Sequence, residues 1–138
     1  MPHHIRAMLF DLDGVVVDTT PYHYRAWRRV ADEEGWKLDE NMADGMTGVP
    51  RSECLDIILE LNGVSADEGS RRRFASRKNA YFVDLLCDIG ESDIRPGIVP
   101  FLEQLRQRGV RLGLYSLSAG AAVVAERLGL NRWFEQVV

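Results

Sequence analysis

Lysine is nearly absent from this chain: Lys37 and Lys78 stand against 15 arginines. Genome composition can produce that ratio, so the positions of the two lysines carry more information than their scarcity. Cysteine is equally sparse. Cys54 and Cys87 are too few for a disulfide framework, and their spacing fits no zinc pattern. Both are expected to be free thiols packed among apolar neighbours. The sequence has no run of about 20 apolar residues, the length needed to span a bilayer. Residues 1–6 lack the apolar stretch of a secretory signal. These absences point to the cytoplasm and to no membrane partner. A basic excess is missing too. With 17 basic and 21 acidic residues the net charge is −4, which disfavours a nucleic-acid partner. The Arg71-Arg72-Arg73 run is read as a solvated helix face. What remains is globular material of 138 residues and 46% apolar content, too hydrophobic for global disorder.

Residues 5–10, IRAMLF, read as a buried strand broken by DLDG, with Val15 to Val17 extended beyond the glycine. Thr20-Pro21 predicts a helix start with Thr20 as N-cap, and Gly35 is its stop. Short helices are predicted over 39–46 and from Pro50 to Leu61, the latter burying Leu55, Ile58, Leu59 and Leu61. Ser65 and Glu68 have capping-box spacing, ahead of a helix over 66–88 with Phe74, Tyr81, Leu85 and Leu86 inward. After Pro96-Gly97 come a helix to Arg108, a strand at 110–116, a helix at 119–128 and a strand from Glu135. Strands alternate with helices at both ends, which implies an α/β fold with a parallel sheet. Residues 18–90 form a helical block with no strand pattern.

Asp11 and Asp13 lie two apart at the C-terminal end of the first predicted strand, where ligands of open α/β sheets bind. Two carboxylates there suit Mg²⁺ with a phosphate. One can attack phosphorus and the other can move protons. Gly14 permits a tight turn directly after them. An Asx-turn at a strand end is the purely structural alternative. Ser116 ends the second predicted strand ahead of a helix and can donate to a phosphate. A helix N-cap is its alternative, a role that Ser118 fits better. Arg51 at a helix start reads first as a solvated side chain, and its misfit with the helix dipole lends slight support to an anionic ligand there. Trp27 follows His23 by one helical turn, and on the residues alone it reads as core.

The stretch LFDLDGVVVDTTPYHYRAW resembles the start of the haloacid dehalogenase superfamily, and more narrowly of its β-phosphoglucomutase-like subfamily. GMTGVPRSECLDIIL, SRKNAYFVDLL, IRPGIVPFLEQLRQRGVRLGLYSLS and ERLGLNRWFEQVV agree in order and spacing. The resemblance implies a Rossmann-like parallel sheet core, residues 1–17 and 92–138, incomplete here, with a helical cap at 18–91 that closes over a sugar. It implies Asp11 as nucleophile and Mg²⁺ ligand. Asp13 would be the general acid/base, with its backbone carbonyl on the metal. Ser116 would bind the transferring phosphate, and Arg51 the other one. Thr19, His23, Trp27, the Gly48-Val49 backbone, Lys78 and Asn79 would complete the cap's part. The implied substrate is glucose 1-phosphate or a related hexose phosphate, turned over by a mutase through an aspartyl-phosphate. A sugar-phosphate phosphatase and a non-catalytic fragment are the alternatives.

Two departures stand against the subfamily pattern. Ala119-Gly120 replaces a Lys-Asn pair. The sequence has no lysine after Lys78 and no aspartate after Asp93, so the family's later lysine and acidic motifs lie outside it. From this the 138 residues alone are expected to be inactive. The family is usually monomeric, but this chain is expected to self-associate through an exposed core strand.

Overall fold

The computed structural model describes residues 4–118 and 120–138. The chain divides into two units, Met1–Asp18 with Asp88–Val138, and Thr19–Cys87. The first is an α/β unit built on three short strands, β1 (Ala7–Asp11), β2 (Arg111–Tyr115) and β3 (Gln136–Val137). They run parallel in the order β1-β2-β3, with Asp11 opposite Tyr115 and Gly113 opposite Gln136. Leu112 and Leu114 alternate with exposed Arg111 and Tyr115, so β2 buries one row of side chains. Phe10 joins that row and meets Phe101 and Phe134 edge-to-face, at centroid distances of 6.0 and 5.8 Å. Gly113 sits where a Cβ would come 3.0 Å from Leu9 Cδ1. The helices of this unit are amphipathic: Ile98–Gln107 buries Leu102 and Leu105, and Ala121–Arg127 buries Ala121, Val124 and Ala125.

The second unit is all helix: α1 (Thr20–Glu34), α2 (Met42–Gly45), α3 (Arg51–Leu61) and α4 (Glu68–Leu85), so the helices of the first unit become α5 and α6. Trp27, Ala31, Leu38, Cys54, Leu55, Ile58 and Leu59 form its core. Trp36 and Phe74 pack edge-to-face beside it. Gly35 ends α1 in the left-handed conformation that glycine takes without penalty, φ 71°.

Several local expectations need correction. Residues 5–10 are only partly buried: Phe10 is inside, whereas Ile5 and Leu9 are 63% and 65% exposed. Val15 to Val17 do not run on as a strand. Gly14 turns at φ 80°, and the Leu12 carbonyl accepts from both Val16 and Val17 N–H. The N-cap of α1 is Thr19 and not Thr20, whose hydroxyl lies 3.2 Å from that of Thr47. The cap of α4 is Asp67, whose Oδ1 accepts from Ser70 N–H at 2.7 Å, so the Ser65–Glu68 box does not form. The buried residues of α4 are Lys78 and Phe82, with Phe74, Tyr81 and Leu85 only half-buried. Leu61 and Cys87 are exposed, contrary to their reading as packed residues. The proposed helix start at Ala119 lies outside the described residues, as does half of the Ala119-Gly120 departure; α6 begins at Ala121.

Candidate functional site

In the α/β unit, β1 delivers Asp11 as its last residue, exposed at the C-terminal end of the strand. Leu12 N–H donates to the Tyr115 carbonyl at 2.8 Å, which carries the parallel pairing one residue past Asp11. The chain then turns at Gly14 and returns, with Gly14 N–H bonded to the Val17 carbonyl at 2.8 Å. Val17 is fully buried and bridges to Ile94, and Asp18 N–H donates to the Asp93 carbonyl at 2.9 Å. Asp13, half-buried, is thus carried on a short turn closed by main-chain hydrogen bonds.

β2 brings Ser116 to the same end of the sheet. Its Oγ donates to Asp13 Oδ2 at 2.5 Å and accepts from Ser118 N–H at 2.9 Å. A donor chain therefore runs from the Ser118 amide through the Ser116 hydroxyl to the Asp13 carboxylate. Ser116 N–H donates to the Val138 carbonyl, so the next strand position holds its backbone in place. Ser118 Oγ accepts from Gly120 N–H at 3.3 Å, but the N-cap of α6 is Gly120 with no side-chain cap bond, so Ser118 is not the cap that the sequence suggested. Asp13 and Ser116 are thus brought together at one end of the sheet. Asp11 stands on the strand beside them in sequence order and in sheet register with Tyr115.

The helical unit carries the other candidates. His23 on α1 and Lys78 on α4 meet with Lys78 Nζ 2.7 Å from His23 Nδ1. Lys78 is buried, 4% exposed, although lysine is rarely found so deep. Its ammonium lies 4.7 Å from the Phe82 ring centroid and 5.7 Å from that of Trp27. An ammonium has three donors and no acceptor, so it can bond His23 where Nδ1 serves as the acceptor. The His23 ring stacks on Phe82 at 3.9 Å and 11°. Trp27, 2% exposed, belongs both to the unit's core and to the surroundings of Lys78.

Asn79 is half-buried next to Lys78 on α4, and Thr19 is buried at the start of α1. Gly48 takes φ 72° in the loop before α3, and Arg51, exposed, is the first residue of that helix after the Pro50 cap. Burial pushes the Cys54 thiol up from its ordinary value, so it is a packing residue and not a nucleophile. Arg71, Arg72 and Arg73 bond Asp56, Glu68 and Ser70 respectively, as a solvated helix face does. Phe82 was not among the residues that the sequence singled out. Its signal was the i, i+4 spacing from Lys78.

A family model described as haloacid dehalogenase-like hydrolase matches residues 5–138. The chain is 32% identical over 136 residues to a β-phosphoglucomutase of Bacillus subtilis, covering 97% of this chain and 60% of that protein. It is 29% identical to a phosphorylated carbohydrates phosphatase of Thermotoga maritima, covering 97% and 61%. Among solved structures, β-phosphoglucomutase from Clostridium difficile superposes with a TM-score of 0.84 at 38% identity, over 97% of this chain and 61% of that one. The chain thus spans about 60% of the length of these relatives.

Proposed function

The chain belongs to the haloacid dehalogenase-like hydrolase family, on its β-phosphoglucomutase-like side, and from that we propose that it performs phosphoryl transfer on a sugar phosphate through an aspartyl-phosphate at Asp11. The observation that carries the reading is the Ser118–Ser116–Asp13 hydrogen-bond chain at the strand end that also bears Asp11. A carboxylate that accepts a short hydroxyl bond is held in one orientation, as a group that must exchange a proton at a defined atom requires.

In this reading an Asp11 carboxylate oxygen attacks phosphorus. The bond from phosphorus to the sugar oxygen breaks, and that oxygen takes its proton from Asp13. In the second half a hydroxyl gives its proton to Asp13, attacks the phosphoryl group and frees the Asp11 carboxylate. If the hydroxyl belongs to a sugar phosphate the enzyme is a mutase; if it belongs to water it is a phosphatase. The Ser116 hydroxyl, whose one proton goes to Asp13 here, would bind the transferring phosphate by turning that proton to a phosphate oxygen when substrate is bound. Mg²⁺ fits the donors present: the exposed Asp11 carboxylate and the Asp13 main-chain carbonyl are hard oxygens, and Mg²⁺ takes one or two carboxylates together with waters and phosphate. Bound there, the ion would offset the charge of the phosphate and of Asp11.

The helical unit, taken as a cap of residues 18–91, would supply the contacts to the rest of the substrate. Arg51 binds the phosphate that is not transferred, and Thr19, His23, Trp27, Gly48, Lys78 and Asn79 contribute around the sugar. A second phosphate grip favours the mutase, with glucose 1-phosphate or a related hexose phosphate as substrate and glucose bisphosphate as the intermediate. The phosphatase reading is favoured by the 29% identity to the phosphorylated carbohydrates phosphatase. Glucose 1-phosphate separates the two, since the mutase returns glucose 6-phosphate and the phosphatase returns inorganic phosphate. A cytoplasmic setting suits such a substrate, and no helix among the described residues is long and apolar enough to cross a membrane. The same reading includes self-association of this chain through β1.

The test is Asp11→Asn, which keeps the volume and removes the nucleophile. In a chain that also carries the family's later lysine and acidic motifs, turnover and the hydroxylamine-labile phosphoenzyme should both vanish while the circular dichroism spectrum is kept. A phosphoenzyme that persists in Asp11→Asn rules the assignment out. Asp13→Asn should slow transfer by about 10²–10⁴-fold, the span of general acid–base catalysis.

A further inference from the structure

We propose that Phe82 is a positioning residue, whose ring sets both the plane of the His23 imidazole and the place of the Lys78 ammonium; this rests on reading those two groups as substrate contacts. Phe82 is 1% exposed, so packing fixes its ring. His23 lies nearly parallel to it, 3.9 Å between centroids and 11° between planes. That contact removes rotation of the imidazole about its ring torsion, which is otherwise broad. Lys78 precedes Phe82 by four residues on α4, and i, i+4 neighbours share a helix face. The ammonium therefore lies 4.7 Å from the ring centroid, within cation–π range.

One aromatic face thus serves two polar groups that also bond each other at 2.7 Å. The stack aims Nδ1 at the ammonium, and the cation–π contact holds the ammonium at Nδ1. With Nδ1 as acceptor, the imidazole proton is held on Nε2. A leucine at position 82 would fill much of the same space but offer neither a flat surface nor a ring quadrupole. A merely structural core position would accept leucine without change at His23.

The experiment is ¹⁵N NMR of the imidazole nitrogens in the whole 138-residue chain, with wild type, Phe82→Leu, Phe82→Met and Phe82→Tyr compared. Wild type and Phe82→Tyr should both hold His23 as the Nε2–H tautomer. Phe82→Leu and Phe82→Met should show a mixture of tautomers with thermal unfolding still cooperative. Titration with glucose 6-phosphate should give a dissociation constant raised about tenfold in the two aliphatic variants, the scale of one lost cation–π contact, and restored in Phe82→Tyr. Two aliphatic variants are included because either could fail to fold alone. A His23 tautomer unchanged in whichever aliphatic variant folds overturns the positioning role, as does failure of both to fold while Phe82→Tyr folds. Glucose 6-phosphate that binds to none of the proteins counts against the sugar-phosphate reading, whereas the tautomer result still decides for or against Phe82.

Discussion

Arg51 is the residue whose assignment is easiest to isolate, because it is exposed at the first position of α3 and removing it leaves no cavity. Its positive charge at a helix N-terminus is unfavourable without an anion nearby. Its planar fork suits a phosphate bidentately. Arg51→Ala should therefore weaken use of a hexose bisphosphate by much more than use of acetyl phosphate, which has one phosphate only. Steady-state kinetics with both donors checks it, and equal losses would make Arg51 a residue of the helix start alone. The placement of the candidate residues at strand ends was legible in the sequence. Asp11, Asp13 and Ser116 are short polar side chains at strand ends, where few structural reasons require them, and Asp13 and Ser116 do meet. Lys78 was singled out too, although nothing in its spacing announced that it would be buried. Phe82 escaped because a phenylalanine on a helix reads as packing, and its distinctive feature is a contact with His23 on another helix.

At the scale of elements, α4 shows where one-dimensional reading fails. The Ser65–Glu68 spacing looks like a capping box, but Asp67 lies closer to the first turn and takes the cap with Ser70 N–H. The apolar residues Phe74, Tyr81 and Leu85 suggested one face. The face that packs is that of Lys78 and Phe82, since α4 lies against α1 and presents polar groups to it. Arg77 bonds Glu33 and Glu34, Tyr81 O–H donates to Glu33 Oε1 at 2.6 Å, and the Arg29 guanidinium lies 4.0 Å from the Tyr81 ring centroid. The Tyr81 hydrogen bond, followed by Arg77, holds the Glu33 carboxyl below its ordinary value of 4.5. A carboxyl depressed by folding stabilises the fold above its unfolded value, and that contribution is lost as pH falls through the folded value. The Asp67 cap is depressed in the same sense, chiefly by the Ser70 amide. Urea unfolding followed by helical circular dichroism should therefore show the midpoint falling as pH is lowered from 7 past 4.5. Glu33→Gln should flatten part of that fall. A midpoint independent of pH in the wild type would show that this α1–α4 network contributes nothing measurable, as many exposed ion pairs do.

For the molecule as a whole, alternation of strands and helices predicted the parallel sheet, and β1, β2 and β3 adopt it in that order. The degree of burial was less legible, because a run such as IRAMLF reads the same whether one face of its strand is covered or both. Among the described residues β1 pairs on the β2 side alone, and the strand that leads to Asp11 keeps Ile5 and Leu9 exposed at 63% and 65%. An open strand edge with unpaired main-chain groups and apolar side chains beside it is a template for another strand. Two copies of β1 meeting antiparallel about Leu9 would place Leu9 against its own copy and satisfy those groups pairwise. Sedimentation velocity of residues 1–138 should accordingly show concentration-dependent association. Leu9→Lys puts a charge at the centre of the edge, at a position exposed enough to tolerate it, and should return the protein to monomer with unchanged circular dichroism. If the wild-type chain sediments as a monomer across the accessible concentration range, β1 is an inert edge. Association that survives Leu9→Lys would instead place the contact elsewhere on the surface.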